Sequence, residues 1–114
     1  RLSHLSKFLS DQDIHVVAAV LSIFPEWQAW NRDNITNYQE VYIKVPIHIL
    51  EKRDENNLYS RAKSGKLKNV VGVDIPFPEP KNPDLVIENI IETDNFDNML
   101  EEVLMLKKIK EILK

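Results

Sequence analysis

The sequence predicts an α/β fold in which helices flank a parallel sheet. Three observations carry this. Residues 14–22 (Ile-His-Val-Val-Ala-Ala-Val-Leu-Ser) form a near-continuous apolar run of strand length, the pattern of a parallel strand buried on both faces. Two further strand-length segments, at 40–45 and 84–88, have the same apolar character. Segments of helical period alternate with all three, which is the order expected of a parallel sheet.

The elements follow in chain order. Leu2, Leu5, Phe8 and Leu9 share a helical face, so residues 1–12 read as an amphipathic helix ending near Asp11-Gln12-Asp13. The chain opens inside this helix, without a capping residue or initiator Met, which reads as a fragment or processed product. The first strand follows at 14–22. Pro25 suits the start of a helix running from Glu26 to about Asn37. Its Trp27 and Trp30 share a face expected to pack on the sheet. Glu40–Val45 gives the second strand, which Pro46 closes, and a helix through Ile47, Ile49, Leu50 and Arg53 follows. A short helix over Leu58–Ser64 stops at Gly65.

Residues 65–83 hold both glycines and four of the six prolines, too long an irregular stretch for a plain connector. Segments of that kind serve as lids or binding loops, and the whole lid spans about 55–83. Asp84–Glu88 is the third strand. Phe96–Leu113 is the last helix, with Asp94 or Asn95 as its N-cap and Phe96, Met99, Leu100, Val103, Leu104 and Leu106 on the side expected to be buried.

Bulk properties narrow the function. The 114 residues suffice for one domain, and 43% hydrophobic content suits a globular one. A net charge of -3 gives no basic face for nucleic acid. Without cysteine there are no disulfides, thiolate metal sites or cysteine nucleophiles. No apolar run nears the ~20 residues of a membrane span. The reading is therefore cytoplasmic, with neither nucleic acid nor membrane as partner. His4, His15 and His48 are scattered, with no cysteine or carboxylate at ligand spacing, so no metal site is expected.

Four stretches in order carry a family resemblance: Ala19-Val-Leu-Ser22 after the first strand; Glu40-Val-Tyr-Ile-Lys-Val-Pro46 running into Glu51-Lys-Arg-Asp54; Leu58-Tyr59 through Ser64-Gly-Lys-Leu-Lys68 to Gly72-Val-Asp74; and Pro80-Lys-Asn-Pro-Asp-Leu85. Over residues 1 to about 92 the chain resembles the C-terminal portion of adenylylsulfate kinases, which are P-loop nucleotide kinases. The resemblance implies an ATP-dependent phosphotransferase acting on a small nucleotide such as adenylylsulfate, within sulfate assimilation. ATP and magnesium would be its cofactors. Leu21-Ser-Ile-Phe24, Trp30-Asn-Arg-Asp-Asn34 and Asn37-Tyr38 also resemble kinases of capsule-modification clusters that act on a cytidine diphosphoramidate. A non-catalytic binding domain is the third reading.

The resemblance also assigns residues. Ser22 matches the family's phosphoserine position, and its place at a strand's carboxyl end favours a substrate-binding hydroxyl. Leu21, Ser22, Asn56, Asn69 and Val70 carry over as substrate contacts. Arg53 sits where a lid-hinge arginine stacks on the adenine of ATP. Arg61, Lys63, Lys66 and Lys68 make the lid basic, as suits closure over phosphates. Four positions depart from the family: Ile23 replaces a proline, Asn56 a lysine, Val71 a threonine and Val70 the phenylalanine that stacks on adenylylsulfate. Losing that aromatic removes a platform worth roughly 1–3 kcal/mol per base.

One part of the machinery is not in this sequence. It has no Gly-x-x-x-x-Gly-Lys-Ser/Thr loop, and its two glycines are Gly65 and Gly72. The fold expected is thus a partial P-loop NTPase, the C-terminal portion of a single kinase domain. In the family's sheet, the strand before the phosphate loop lies between the strands read at 14–22 and 40–45. Those two should not pair with each other, and the chain should need the missing N-terminal half or a second chain. A homodimer is a further implied partner.

Overall fold

Two short parallel strands make up the sheet seen among the described residues of the computed structural model, 1–91 and 95–112. Strand β1 (Val41–Lys44) pairs with β2 (Leu85–Glu88) in the register Val41↔Leu85 to Lys44↔Glu88. Parallel neighbours need a crossover, and here it is the helices and lid of residues 45–84. Among the described residues, six helices accompany the strands: α1 (Leu2–Ser10), α2 (Pro25–Asn34), α3 (Ile47–Lys52), α4 (Leu58–Lys63), α5 (Asp97–Leu104) and α6 (Lys107–Ile112). Apart from the strand expected at 14–22, the predicted α/β order holds from α1 to β2, with bounds within a few residues.

Local chemistry explains the boundaries. Pro25 occupies the first turn of α2, where its missing N–H costs nothing. The backbone enters the left-handed region at Asp13, Asn37, Asn57 and Asn69, residue types whose short polar side chains tolerate it. Asp13 therefore ends the α1 region, and Asn57 leads into α4.

Two expectations need correction. Residues 14–22 are not a strand. Among the described residues, 15–23 make no backbone–backbone hydrogen bond, and Val17 is 97% exposed. The apolar run has strand composition, but strand structure needs a neighbour to bond with, and none of the described strands lies against it. The last helix, read as one element over 96–113, is two. The Leu106 N–H turns to the Val103 carbonyl, which tightens the final turn of α5, and the ladder restarts when the Lys110 N–H reaches Leu106. The side expected to be buried is open: Phe96, Leu100 and Leu104 are all exposed. Asn95 Oδ1 accepts the Asp97 N–H at 2.8 Å at the start of α5. Asp94 and Leu113 lie outside the described residues.

Packing shows how much is uncovered. The hydrophobic core among the described residues is Val70 (6% exposed) and Ile87 (3%). A folded monomer of this mass exposes about 6,500 Å², whereas this chain exposes 8953 Å². Its radius of gyration is 16.3 Å, against about 13 Å for a packed domain of this length. The excess is the size of an interface, and the open run 14–22 contributes to it. Trp27 and Trp30 also differ from expectation. They pack edge-on against His4 of α1, with ring centroids 5.5 and 4.8 Å away, and not on the sheet.

Candidate functional site

Ser22 stands where the open apolar run meets α2. The half-buried hydroxyl has one side-chain hydrogen-bond partner among the described residues, Gln28 of α2. Gln28 Nε2 lies 3.2 Å from Ser22 Oγ and 3.4 Å from the Ser22 carbonyl oxygen. No carboxylate or imidazole is hydrogen-bonded to Ser22 among the described residues, so nothing there can take its proton as a nucleophile's base would. Leu21 beside it is exposed. Gln28 is the buried polar side chain of the described chain, 9% exposed. Sequence reading passed over it, because a glutamine within a helix carries no pattern of its own.

The lid is braced in three places. Asp54 Oδ2 accepts the Tyr59 N–H at 2.8 Å, which fixes the start of α4 instead of pairing with Arg53. Arg53 Nη2 donates to the Ile91 carbonyl oxygen at 3.0 Å, tying the hinge to the segment after β2. Lys63 forms an ion pair with Glu51 across α3 and α4. Arg61, Lys66 and Asn56 are exposed. The cleft lined by Glu51, Asp54, Asn57, Tyr59, Ser60 and Lys63 measures about 120 Å³, well short of the roughly 300–1,000 Å³ of a nucleotide-sized pocket.

Beyond the lid helix, residues 69–75 form a closed turn. The Asp74 carboxylate accepts the Asn69 N–H at 2.7 Å and the Val70 N–H at 2.6 Å. These two backbone donors hold the carboxyl below its ordinary 3.8. Gly72 takes φ +89°, and a Cβ there would lie 3.8 Å from Ile47 Cδ1, so the turn rests on the start of α3. Val70 points into this packing, while Asn69 is exposed. Of the residues carried over as substrate contacts, the structure therefore joins Asn69 and Val70 through Asp74. It makes no hydrogen bond or ion pair from Ser22 or Leu21 to the lid among the described residues.

At the opposite, amino end of the strands, Asp84 gathers Arg32 of α2 and the Glu40 N–H, at 3.0 and 2.8 Å. Burial opposes the charge on Asp84, but the guanidinium and the backbone donor prevail and lower its pKa. Arg32 also donates to the Asn82 carbonyl oxygen at 2.8 Å and sits 5.3 Å from the Tyr38 ring centroid. This node fastens α2 to the sheet and is remote from the strand ends where α/β folds bind ligands.

The residue order, the parallel β1–β2 pair and the braced lid can now be set beside known proteins. The family described as adenylylsulphate kinase matches residues 1–88. This chain belongs to the adenylylsulphate kinase family. It is 40% identical over 104 residues to the cytidine diphosphoramidate kinase of Campylobacter jejuni, covering 91% of this chain and 59% of that protein. It is 32% identical over 108 residues to the adenylyl-sulfate kinase of Clostridium acetobutylicum, covering 89% and 52%. The solved Mycobacterium tuberculosis APS kinase, in complex with AMPPNP and APS, superposes with a TM-score of 0.77 at 32% identity, covering 93% of this chain and 62% of that one. The chain thus spans little more than half the length of these curated relatives.

The residues present do not fit the ATP phosphates or magnesium. Both need a glycine-rich nest of N–H donors or a hydroxyl and carboxylate set. Gly65 and Gly72 sit in the lid, and no cluster of three metal-binding side chains occurs among the described residues. Among them, too, no helix is long and apolar enough to cross a membrane.

Proposed function

We propose that this chain is the lid and acceptor portion of an adenylylsulfate kinase-type enzyme, which phosphorylates a small activated nucleotide at the expense of ATP in the cytoplasm. The observation that carries the reading is the superposition of 93% of the chain on a solved APS kinase. The phosphate cradle and the magnesium ligands belong, on this reading, to the length of the relatives that the chain does not span. That portion also supplies the strand that covers residues 14–22 and the free edge of β1, and homodimerisation completes the assembly. The Ser22 region and Asn69 face the acceptor, Arg53 the adenine of ATP, and Lys66 with Arg61 the phosphates.

Two acceptors fit. Adenylylsulfate is the first, from the family. Cytidine diphosphoramidate is the second, and two observations favour it: the 40% identity to the Campylobacter jejuni enzyme, and Val70, which is buried where an aromatic face for adenine would stand. The test is ATP-dependent phosphorylation by the full-length protein with both acceptors in parallel. Turnover of one over the other assigns the substrate. No turnover of either overturns the kinase reading and leaves a binding domain.

A further inference from the structure

The Ser22–Gln28 pair determines what the serine hydroxyl can do. The end of the Gln28 amide facing Ser22 lies 3.4 Å from the Ser22 carbonyl oxygen and 3.2 Å from its Oγ. A backbone carbonyl only accepts, so the amide end beside it must be the NH2 group. That NH2 group donates to Oγ as well, so Oγ uses a lone pair toward Gln28. A serine hydroxyl has a single proton to donate. With Oγ accepting from Gln28, this proton is not used toward the Gln28 amide and is left for another acceptor.

Gln28 is itself held in place. It is buried, at 9% exposure, in a chain where burial is scarce. It lies in the first turns of α2, whose start is fixed by Pro25. An amide buried on one hydroxyl and one carbonyl is costly to place unless both contacts are kept. The arrangement therefore commits one lone pair of Ser22 Oγ in advance of any ligand and leaves its proton for donation.

We propose that Gln28 is a positioning residue that, by donating to Ser22 Oγ, leaves the Ser22 proton for donation to an anionic oxygen of the acceptor nucleotide, a sulfate, phosphate or phosphoramidate group. This rests on the reading that Ser22 faces the acceptor. It also sets Ser22 apart from a nucleophile: a serine that attacks phosphorus must give its proton to a base, and Gln28 offers only N–H donors on that side.

The test is a double-mutant cycle in the full-length protein with Gln28→Leu, Ser22→Ala and both together, reading the KM of the acceptor and of ATP separately. Losing one hydrogen bond to a charged group costs about tenfold in affinity. Gln28→Leu is expected to raise acceptor KM by that factor and leave ATP KM and kcat within about twofold. In the Ser22→Ala background the same substitution should add little, because the residue it acts through is gone. Gln28→Glu, which turns donor into acceptor, should be worse than Gln28→Leu. An equal Gln28→Leu effect in both backgrounds, or a matched rise in ATP KM, overturns the proposal and leaves Gln28 a packing residue. If the wild-type protein transfers no phosphoryl group, the kinase reading fails on its own. The cycle is then read as the Kd of adenylylsulfate and of cytidine diphosphoramidate by calorimetry, and absence of binding to both overturns this inference too.

Discussion

The Asp74 carboxylate accepts the Val70 N–H at 2.6 Å on one oxygen and the Asn69 N–H at 2.7 Å on the other. These bonds close the turn that follows the lid helix, and they hold Asn69 in a left-handed conformation at φ 64°. Removing the acceptor should free both amides. In Asp74→Ala, hydrogen exchange at Asn69 and Val70 is expected to speed up about tenfold, the scale of one charge-assisted bond. Unchanged exchange would show that the turn's backbone bonds, such as the Gly72 N–H to the Ile75 carbonyl, hold it without the carboxylate.

The same carboxylate gives a pH dependence. Its pKa is held below 3.8 by the Asn69 and Val70 N–H groups. A depressed acid stabilises the fold fully above its ordinary value and ceases to as the pH falls through its lowered, folded value. The amide resonances of Asn69 and Val70 should thus titrate together with a midpoint below 3.8. A midpoint above 3.8 would contradict the hydrogen-bonded geometry.

At the amino end of the sheet, Asp84 carries two partners, whereas Arg32 is one of them and is partly exposed. The two substitutions should therefore differ. Arg32→Ala removes partly exposed contacts, namely the ion pairs to Asp84 and Glu40, the bond to the Asn82 carbonyl and the Tyr38 ring contact, worth about 0.5–1 kcal/mol together. Asp84→Ala also orphans the Glu40 N–H at the head of β1 and should cost about 1–2 kcal/mol. Denaturant unfolding of the full-length protein measures both. Equal losses would mean that the Glu40 contact contributes nothing.

How much of this was legible in the sequence depends on what each feature needs. The order α2 to β2 was readable because local composition decides it: Pro25, Pro46 and Gly65 punctuate the chain, and Val41–Lys44 and Leu85–Glu88 have strand composition. The run 14–22 had the right composition, but pairing is a property of two segments, and no described strand bonds to it. The break at Met105 and Leu106 left no mark, since no proline or glycine stands there. Of the candidate site, Ser22 and the expected lid were singled out by motif. Gln28 and the clasp of Asp74 were not, because a side chain that turns back on a backbone amide has no spacing signature.

The open run gives a prediction about context. Val17 is 97% exposed in this chain, so Val17→Lys should leave the circular dichroism of residues 1–114 unchanged. Those residues alone should also lack a cooperative thermal transition, given how little of the chain is buried. In the full-length protein the same lysine would enter a strand covered on both faces, where an unpaired charge costs several kcal/mol. A lysine tolerated equally in both would show that residues 14–22 stay at the surface. A cooperative transition in the short chain would show that it needs no complement.

Val70 offers the last test, because its burial makes two expectations diverge. If the position were an open stacking platform, Val70→Phe would restore an aromatic face and tighten adenylylsulfate binding. In this structure Val70 is 6% exposed, and its N–H is clasped by Asp74. A phenylalanine there adds a ring to a packed turn that already touches Ile47, and overpacking of this kind costs about 1–3 kcal/mol. Val70→Phe should therefore lower the melting temperature of the full-length protein without lowering the KM for adenylylsulfate. A stabilised variant that gains adenylylsulfate turnover would mean that the turn opens in the complete enzyme, and would weigh against cytidine diphosphoramidate as the acceptor.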